Sequence, residues 1–157
     1  MKKLAIAGVK IAERVADELK FSNQLKHEVT ELVLYHDSYP PADKKSVKLF
    51  VSMFGFDLSE KIFELMRADT AAHSPLGLPR LDSVKQIVAL YNEIREENPC
   101  MTIRQLAVTG DDLLELGFPE GPLIGRILKD VLEKVITENL ANDRDDIVQY
   151  VLGSYEK

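Results

Sequence analysis

Apolar residues recur every three or four positions along nearly the whole chain, which is the spacing of one face of an α-helix. The first such stretch begins at Leu4 and predicts a helix to about Lys20, and Ser22 is suited to cap the start of a second helix. Pro40 and Pro41 end that second helix, because proline cannot continue an α-helix. No stretch predicts a β-strand. The pattern therefore indicates an all-α fold.

The stretches after this proline pair bring the predicted number of helices to about eight. One helix runs from about Asp43 to Gly55, and Ser59 opens the next. A long helix ends near Pro99, and a further one spans 123–140. Shorter elements are predicted at 102–106 and 109–117, with a last helix at 142–152.

A short segment rich in proline and glycine divides the chain. Ser74–Pro79 contains two prolines and one glycine in six residues and is the best linker candidate. The charge balance changes there: residues 1–80 carry 12 basic and 11 acidic side chains, whereas residues 81–157 carry 8 and 15. We therefore predict two modules, at 1–76 and 77–157, and expect an anion to meet less long-range repulsion near the first.

Composition limits the classes of function. The 157 residues carry a net charge of −6, which argues against a nucleic-acid binder that relies on bulk positive charge. A single cysteine, Cys100, excludes an internal disulfide, and no Cys/His cluster indicates zinc. No apolar run is long enough to span a membrane, so we expect a cytoplasmic protein. One basic cluster, Lys44, Lys45 and Lys48, is predicted to be a solvated face.

Candidate catalytic residues are few. His36 and Asp37 are neighbours, and such a pair can bind a divalent metal. Adjacent helical residues point about 100° apart, however, so a histidine near the C-terminal end of a helix dipole is the favoured interpretation. Asp69 falls on or near an apolar stripe, where a structural hydrogen bond is favoured over catalysis. No nucleophile arrangement and no phosphate-binding glycine loop occurs.

The segment Gly117–Gly125 predicts an unusual helix start. Gly121 and Pro122 open the helix, and Gly125 one turn later removes a side chain where a phosphate or another backbone approaches. Arg126 and Lys129 follow. A helix N-terminus offered to a nucleic-acid phosphate is one interpretation, and tight packing between helices is the other. Spacing alone favours packing.

A set of glycines, one proline and an acidic pair keeps a fixed spacing through the second half of the chain. Its members are Ile103, Leu106, Thr109–Leu114, Gly117, Gly121, Pro122, Ile124, Gly125, Leu128 and Leu132, followed by Asn142, Arg144, Asp145 and Ile147. This pattern resembles the C-terminal region of bacterial CCA-adding enzymes and related poly(A) polymerases, which are nucleotidyltransferases. Segments at 8–12, 19–23, 32–37 and 66–69 resemble the later half of the HD-type helical domain in that family.

The resemblance implies a partial HD-like helical domain at 1–76, followed by a small helical domain of the tRNA-binding type at 77–157. Nothing in the chain matches the nucleotidyltransferase head of such enzymes, where a Gly-Ser pair and closely spaced carboxylates bind metal and nucleotide. The HD doublet should precede the first residue, and Leu4 stands where a ligand histidine is expected. Only His36 and Asp69 remain as HD-type positions, so we expect no metal site and no catalytic residue.

The resemblance further implies that this chain is not an enzyme on its own. It would be the RNA-binding body and tail of a tRNA nucleotidyltransferase, either as a fragment or as one half of a split enzyme. Such a chain would hold tRNA or another RNA weakly by its backbone for CCA addition, while Mg²⁺ and CTP or ATP belong to the head. The residues expected at the RNA backbone are Gly121, Gly125, Arg126, Lys129 and Arg104.

Further partners and two alternative functions are also expected. A catalytic-head polypeptide and a second copy of the chain are expected partners, whereas a membrane is not. One alternative function is a metal-dependent phosphohydrolase with a reduced HD site around His36 and Asp69. The other is a helical module that only binds proteins.

Overall fold

The computed structural model describes residues 2–72 and 78–156, and within these ranges the protein consists of helices and loops. No strand occurs in the described residues, so the predicted all-α class is confirmed. None of the described helices is both long and apolar enough to cross a membrane. The seven α-helices there are α1 (Lys2–Glu18), α2 (Asn23–Tyr35), α3 (Lys44–Ala72), α4 (Leu78–Glu97), α5 (Gly110–Glu115), α6 (Pro122–Ile136) and α7 (Arg144–Ser154), and a 3-10 turn spans Ile103–Gln105.

The predicted break between two helices at Gly55 is confirmed. Gly55 has φ 76° and ψ 169°, which is not a helical conformation, so α3 consists of two helical segments that meet at a kink. Ser22 caps α2 as expected, since its hydroxyl accepts a hydrogen bond from a backbone N–H of the first turn at 3.2 Å. α6 ends at Ile136 rather than at Leu140, because Glu138 takes a left-handed φ of 59°.

α3 and α4 form the first of two hydrophobic cores. Phe63 stacks on Phe50 and meets Tyr91 edge-on, with ring centroids 5.1 Å and 5.6 Å apart. The Tyr91 hydroxyl donates to Phe56 O at 3.1 Å, just beyond the kink, so both halves of α3 face α4. The other buried members of this core are Val47, Val51, Ile62, Met66, Val84, Ile87, Ile94, Met101 and Ile136.

The second core lies around α6. α5 approaches α6 so closely that a Cβ on Gly110 would meet Ile124 Cγ2 at 3.3 Å. The side of α6 that faces this core is buried, and its other side is exposed to solvent. The buried members of the second core are Leu106, Val108, Leu113, Phe118, Ile127, Leu128, Val131, Ile147 and Val151.

Lys48 connects α3 to α4 and to the loop after α6. Its side chain is only 7% exposed, and its Nζ lies 2.6 Å from Glu138 Oε1 and 3.8 Å from Glu97 Oε2. Lys44, on the same helix, pairs with Glu93 and Glu97 at 2.8 Å and 2.5 Å. The prediction of a solvated basic face is therefore wrong for Lys48, because α4 and the loop after α6 supply carboxylates that enclose it.

The predicted division into 1–76 and 77–157 stays a prediction. The linker Ser74–Pro79 that motivates it falls mainly on residues 73–77, which lie outside the described ranges. Within those ranges, α4 shares its core with α3, and the second core uses residues that follow α4.

Candidate nucleic-acid interface

The start of α6 is exposed and carries no acidic residue in its first turn. Gly121 precedes the helix with φ 139° and ψ −161°, a conformation that side chains rarely adopt, and no side chain caps the helix there. Pro122 occupies the first helical position, where its missing N–H costs nothing. By contrast, α5 and α7 begin with aspartates and are capped by Thr109 and Asp143. In the described part of the chain, no side-chain cap occupies the positive end of the α6 dipole, which attracts anions.

Gly125, Arg126 and Lys129 follow this start within two turns. A Cβ on Gly125 would meet no heavy atom of the described residues within 4 Å, so tight helix packing does not account for this glycine. Arg126 and Lys129 are exposed one turn apart, and neither forms an ion pair or hydrogen bond with another described residue. An open backbone and two unpaired cations therefore lie on one exposed part of α6.

Arg104, the fifth residue expected at an RNA backbone, lies on the 3-10 turn that packs against α6. Gln105 fixes this turn, since its side-chain oxygen accepts hydrogen bonds from Met101 N–H and Thr102 N–H at 3.0 Å each. The Arg104 side chain is exposed. The fold thus attaches the Arg104 turn to the helix that carries the other four residues.

A hydrogen-bond network that the sequence did not predict joins the starts of α5 and α7. The Thr109 hydroxyl and N–H donate to Asp112 Oδ2 at 2.6 Å and 2.7 Å, and Arg144 Nη2 donates to Oδ1 at 2.6 Å. These bonds, led by that from the Thr109 hydroxyl, hold the pKa of Asp112 well below its usual range. The Asn142 side chain forms two hydrogen bonds with the backbone of residues 105–107, each 2.9 Å long. Asp112, Asn142 and Arg144 therefore position the helices and the turn before them.

Asp130, one turn beyond Arg126, is held by two tyrosines from the end of the chain. The hydroxyls of Tyr150 and Tyr155 donate to its Oδ2 at 2.6 Å and 2.8 Å. Burial, and then the bond to Asp130, raises the pKa of Tyr155 to about 12, while the positive charge of Arg126 acts in the opposite direction. Arg126 thus lies within electrostatic reach of this cluster, in which one oxygen of the Asp130 carboxylate accepts two hydrogen bonds.

The two remaining HD-type positions lie on different elements. His36 follows α2, and its Nδ1–H donates to Val33 O at 2.8 Å, a contact typical of a helix end. Its neighbour Asp37 lies 3.6 Å from Arg80 Nη1 on α4, and Asp69 is half-buried on α3. Among the described side chains, no three His, Cys, Asp or Glu residues come together as a metal-ligand group. His36 and Asp69 by themselves do not make the ligand set of a hydrolytic metal centre.

Comparison with known proteins identifies the family. Residues 4–151 match the family described as tRNA nucleotidyltransferase domain 2, putative. The chain belongs to this family. A CCA-adding enzyme from Levilactobacillus brevis is 35% identical to it over 88 residues, which are 56% of this chain and 20% of that enzyme. The resemblance predicted from the motifs is thus confirmed. The chain spans about one fifth of the length of this curated relative, and no solved structure matches it.

Proposed function

We propose that this chain binds the sugar–phosphate backbone of tRNA through the start of α6. One observation carries the proposal: a member of this family exposes a helix N-terminus without an acidic first turn, followed by two cations that form no ion pair with a described residue. A phosphate near Gly121 would accept hydrogen bonds from the first N–H groups of α6 and meet the positive end of its dipole. Arg126 and Lys129 would bind neighbouring phosphates, and Gly125 leaves room for the RNA backbone.

In this proposal the chain holds RNA and leaves the chemistry to another polypeptide or segment. The Levilactobacillus brevis relative is named a CCA-adding enzyme, which supports the 3′ end of tRNA as the place of action. Addition of CMP and AMP would require a nucleotidyltransferase head that binds Mg²⁺ and CTP or ATP. Arg104 extends the holding surface beside α6, because its turn packs on that helix. Contacts of this kind fix the position of an RNA without reading its sequence.

The charge balance sets the expected strength of binding. Residues 81–157 carry 8 basic and 15 acidic side chains, so attraction has to come from the α6 start and its cations rather than from the whole module. We expect a dissociation constant of about 10⁻⁴ to 10⁻⁶ M, the range of backbone-only binding, with strong dependence on salt.

A binding titration tests the proposal. The full chain is titrated into fluorescently labelled tRNA that lacks its CCA end, at about 50 and 200 mM salt. The double variant Arg126→Glu/Lys129→Glu should bind about tenfold or more weakly. The binding constant of this variant should also fall less steeply with salt. The slope of log K against log salt concentration should be shallower by roughly one unit for each phosphate that the variant no longer neutralises.

Lys45→Glu/Lys85→Glu is the matched control, because it makes the same change in net charge at exposed positions on α3 and α4. It should bind nearly as wild type does. Equal weakening in both double variants would mean that net charge alone governs binding. No weakening in Arg126→Glu/Lys129→Glu would rule out the α6 start as the RNA contact.

A further inference from the structure

The carboxylate of Asp130 on α6 is oriented by two tyrosines from the end of the chain. The hydroxyls of Tyr150 and Tyr155 both donate to its Oδ2, at 2.6 Å and 2.8 Å. Both rings pack against the second core, and the Tyr155 N–H donates to Val151 O at 3.0 Å, at the end of α7. Core packing and a backbone bond therefore place the donors, and the donors in turn direct the Asp130 carboxylate toward α7.

Arg126 is the cation that this carboxylate would be expected to pair with. It precedes Asp130 by four positions in α6, and opposite charges four positions apart on a helix are neighbours that attract each other. Burial is the main cause of the raised pKa of Tyr155, and the charge of Arg126 acts against it, so the guanidinium lies within electrostatic reach of the cluster. Arg126 nevertheless forms no ion pair with Asp130 or with any other described carboxylate.

We propose that the hydroxyls of Tyr150 and Tyr155 hold Asp130 out of an ion pair with Arg126 and so leave the Arg126 guanidinium available to a phosphate. Hydrogen bonds from hydroxyls to a charged carboxylate are short and strong, whereas one exposed ion pair along a helix contributes little. The carboxylate therefore keeps its two donors rather than turning toward the guanidinium.

The tyrosines and Asp130 are positioning residues in this proposal, since they act on RNA only through Arg126. Without them, an acid four positions from Arg126 would compete with the RNA for the same guanidinium. The availability of Arg126 to a phosphate rests on the proposed function, whereas the missing ion pair between Arg126 and Asp130 does not.

Nuclear magnetic resonance of the full chain tests the pairing in the absence of RNA. The Arg126 Nε–H resonance is assigned by its loss in Arg126→Lys. In Tyr150→Phe/Tyr155→Phe this resonance should move toward that of a carboxylate-bound guanidinium, because Asp130 has lost both donors. Adding Asp130→Asn should return it to the wild-type position, since an amide carries no charge to pair with. An Arg126 resonance that stays at its wild-type position in the double variant would overturn the proposal.

The same tRNA titration measures the consequence for binding. Tyr150→Phe/Tyr155→Phe should bind about two- to threefold more weakly than wild type, which is the effect of one exposed ion pair that has to open first. Adding Asp130→Asn should restore binding at least to the wild-type level. Tyr155→Phe alone, which leaves Asp130 one donor, serves for both measurements if the double variant does not fold.

Tyr39→Phe/Tyr91→Phe is the matched control. It also removes two hydrogen-bonded hydroxyls, which contact Thr70 Oγ1 at 3.0 Å and Phe56 O at 3.1 Å, but both lie at the first core. This variant should bind tRNA as wild type does. An equal loss in both double variants would assign the effect to general destabilisation and overturn the proposal.

A background without the guanidinium separates positioning from stability. In Arg126→Gln, removal of the Tyr150 and Tyr155 hydroxyls should cause no further loss of tRNA binding, because the group that Asp130 would capture is absent. A structural effect of the tyrosines would weaken binding equally in both backgrounds, and that result would overturn the proposal.

The variant Arg126→Glu/Lys129→Glu distinguishes failure of this proposal from failure of the proposed function. If it weakens tRNA binding but Tyr150→Phe/Tyr155→Phe does not, the positioning role is refuted and the RNA contact stands. If neither variant weakens binding, the RNA contact is refuted. The Arg126 resonance then decides by itself whether the tyrosines keep Asp130 from pairing.

Discussion

Lys48 is the buried charged side chain of the described residues, and its acidic partners are not buried with it. Its own side chain is 7% exposed, whereas those of Glu97 and Glu138 are 40% and 70% exposed. A buried ammonium that loses its partner costs more free energy than a carboxylate that returns to water. Loss of the glutamate partner is therefore expected to cost more free energy of folding than loss of the lysine.

We expect Glu138→Ala to lower the thermal unfolding midpoint more than Lys48→Met does. The first change leaves the Lys48 ammonium with Glu97 alone, at 3.8 Å. The second replaces the ammonium by apolar atoms of similar volume and leaves Glu138 in solvent. Glu133→Ala, at an exposed position on α6, controls for the loss of one acid. Circular dichroism measures both midpoints. A larger decrease of the midpoint in Lys48→Met would mean that the ion pair itself stabilises the contact between α3 and the loop after α6.

Asp112 makes stability depend on pH. Its pKa lies below the usual value of 3.8, so the folded state favours the charged form. The stabilisation is present above pH 3.8 and is lost as the pH falls through the lowered pKa, because protonation then weakens the bonds from Thr109 and from Arg144.

Asp112→Asn should therefore lower the unfolding midpoint at pH 7, and the difference from wild type should shrink steadily below about pH 4. Asp111→Asn is the matched control. Asp111 is exposed in the same helical turn, and its substitution removes the same charge near the same helix dipole. Melting curves from pH 7 to pH 2 check this. Equal effects of the two substitutions at pH 7 would place the stabilisation in the helix dipole rather than in the bonds from Thr109 and Arg144.

At the scale of the element, α3 depends on one backbone conformation. Gly55, at φ 76° and ψ 169°, kinks the helix so that side chains from both halves enter the first core. This region of backbone space is essentially restricted to glycine. A Cβ at Gly55 would meet nothing within 4 Å among the described atoms. The backbone conformation therefore requires glycine here, whereas the space around the residue does not.

Gly55→Ala should destabilise the protein by about 1 to 3 kcal/mol in chemical unfolding, because alanine is strained in this conformation. Gly125→Ala provides the contrast. It lies inside α6 and also borders open space, so alanine should be neutral or stabilise by up to about 1 kcal/mol. A neutral Gly55→Ala would indicate that α3 can straighten without losing its core.

At the scale of the whole molecule, α6 links the two cores. Ile136 at its end belongs to the first core, and Ile127 and Val131 belong to the second. The proposed RNA contact at Gly121 lies at the other end of this helix, about 22 Å away at 1.5 Å per residue over 15 residues. One rigid helix therefore sets the distance between the proposed contact and the first core.

We expect the chain alone to add no nucleotide to tRNA that lacks its CCA end. The described side chains bring no three potential ligands together, and this chemistry needs metal ions held by several fixed groups. Incubation with radiolabelled CTP or ATP and Mg²⁺ tests this, with a full-length CCA-adding enzyme as the positive control. Incorporation by the purified chain would contradict the prediction.

Local sequence signals predicted the elements well because their causes are local. Ser22 caps α2, and Gly55 marks a break in helical geometry, as expected from residue type alone. Leu140 fell outside α6 because Glu138 adopts a left-handed conformation that few side chains favour.

The sequence by itself determined the all-α class, most helix starts and ends, and the spaced motif that marks the family, because each depends on residues within a few turns of one another. Only the tertiary structure decided which charges are paired. Lys48 meets Glu138 across 90 residues and Arg144 meets Asp112 across 32, and no periodic pattern encodes such pairs. It also decided that Gly125 borders open space and that Ile11 on α1 is exposed among the described residues, because exposure depends on which faces the other helices occupy.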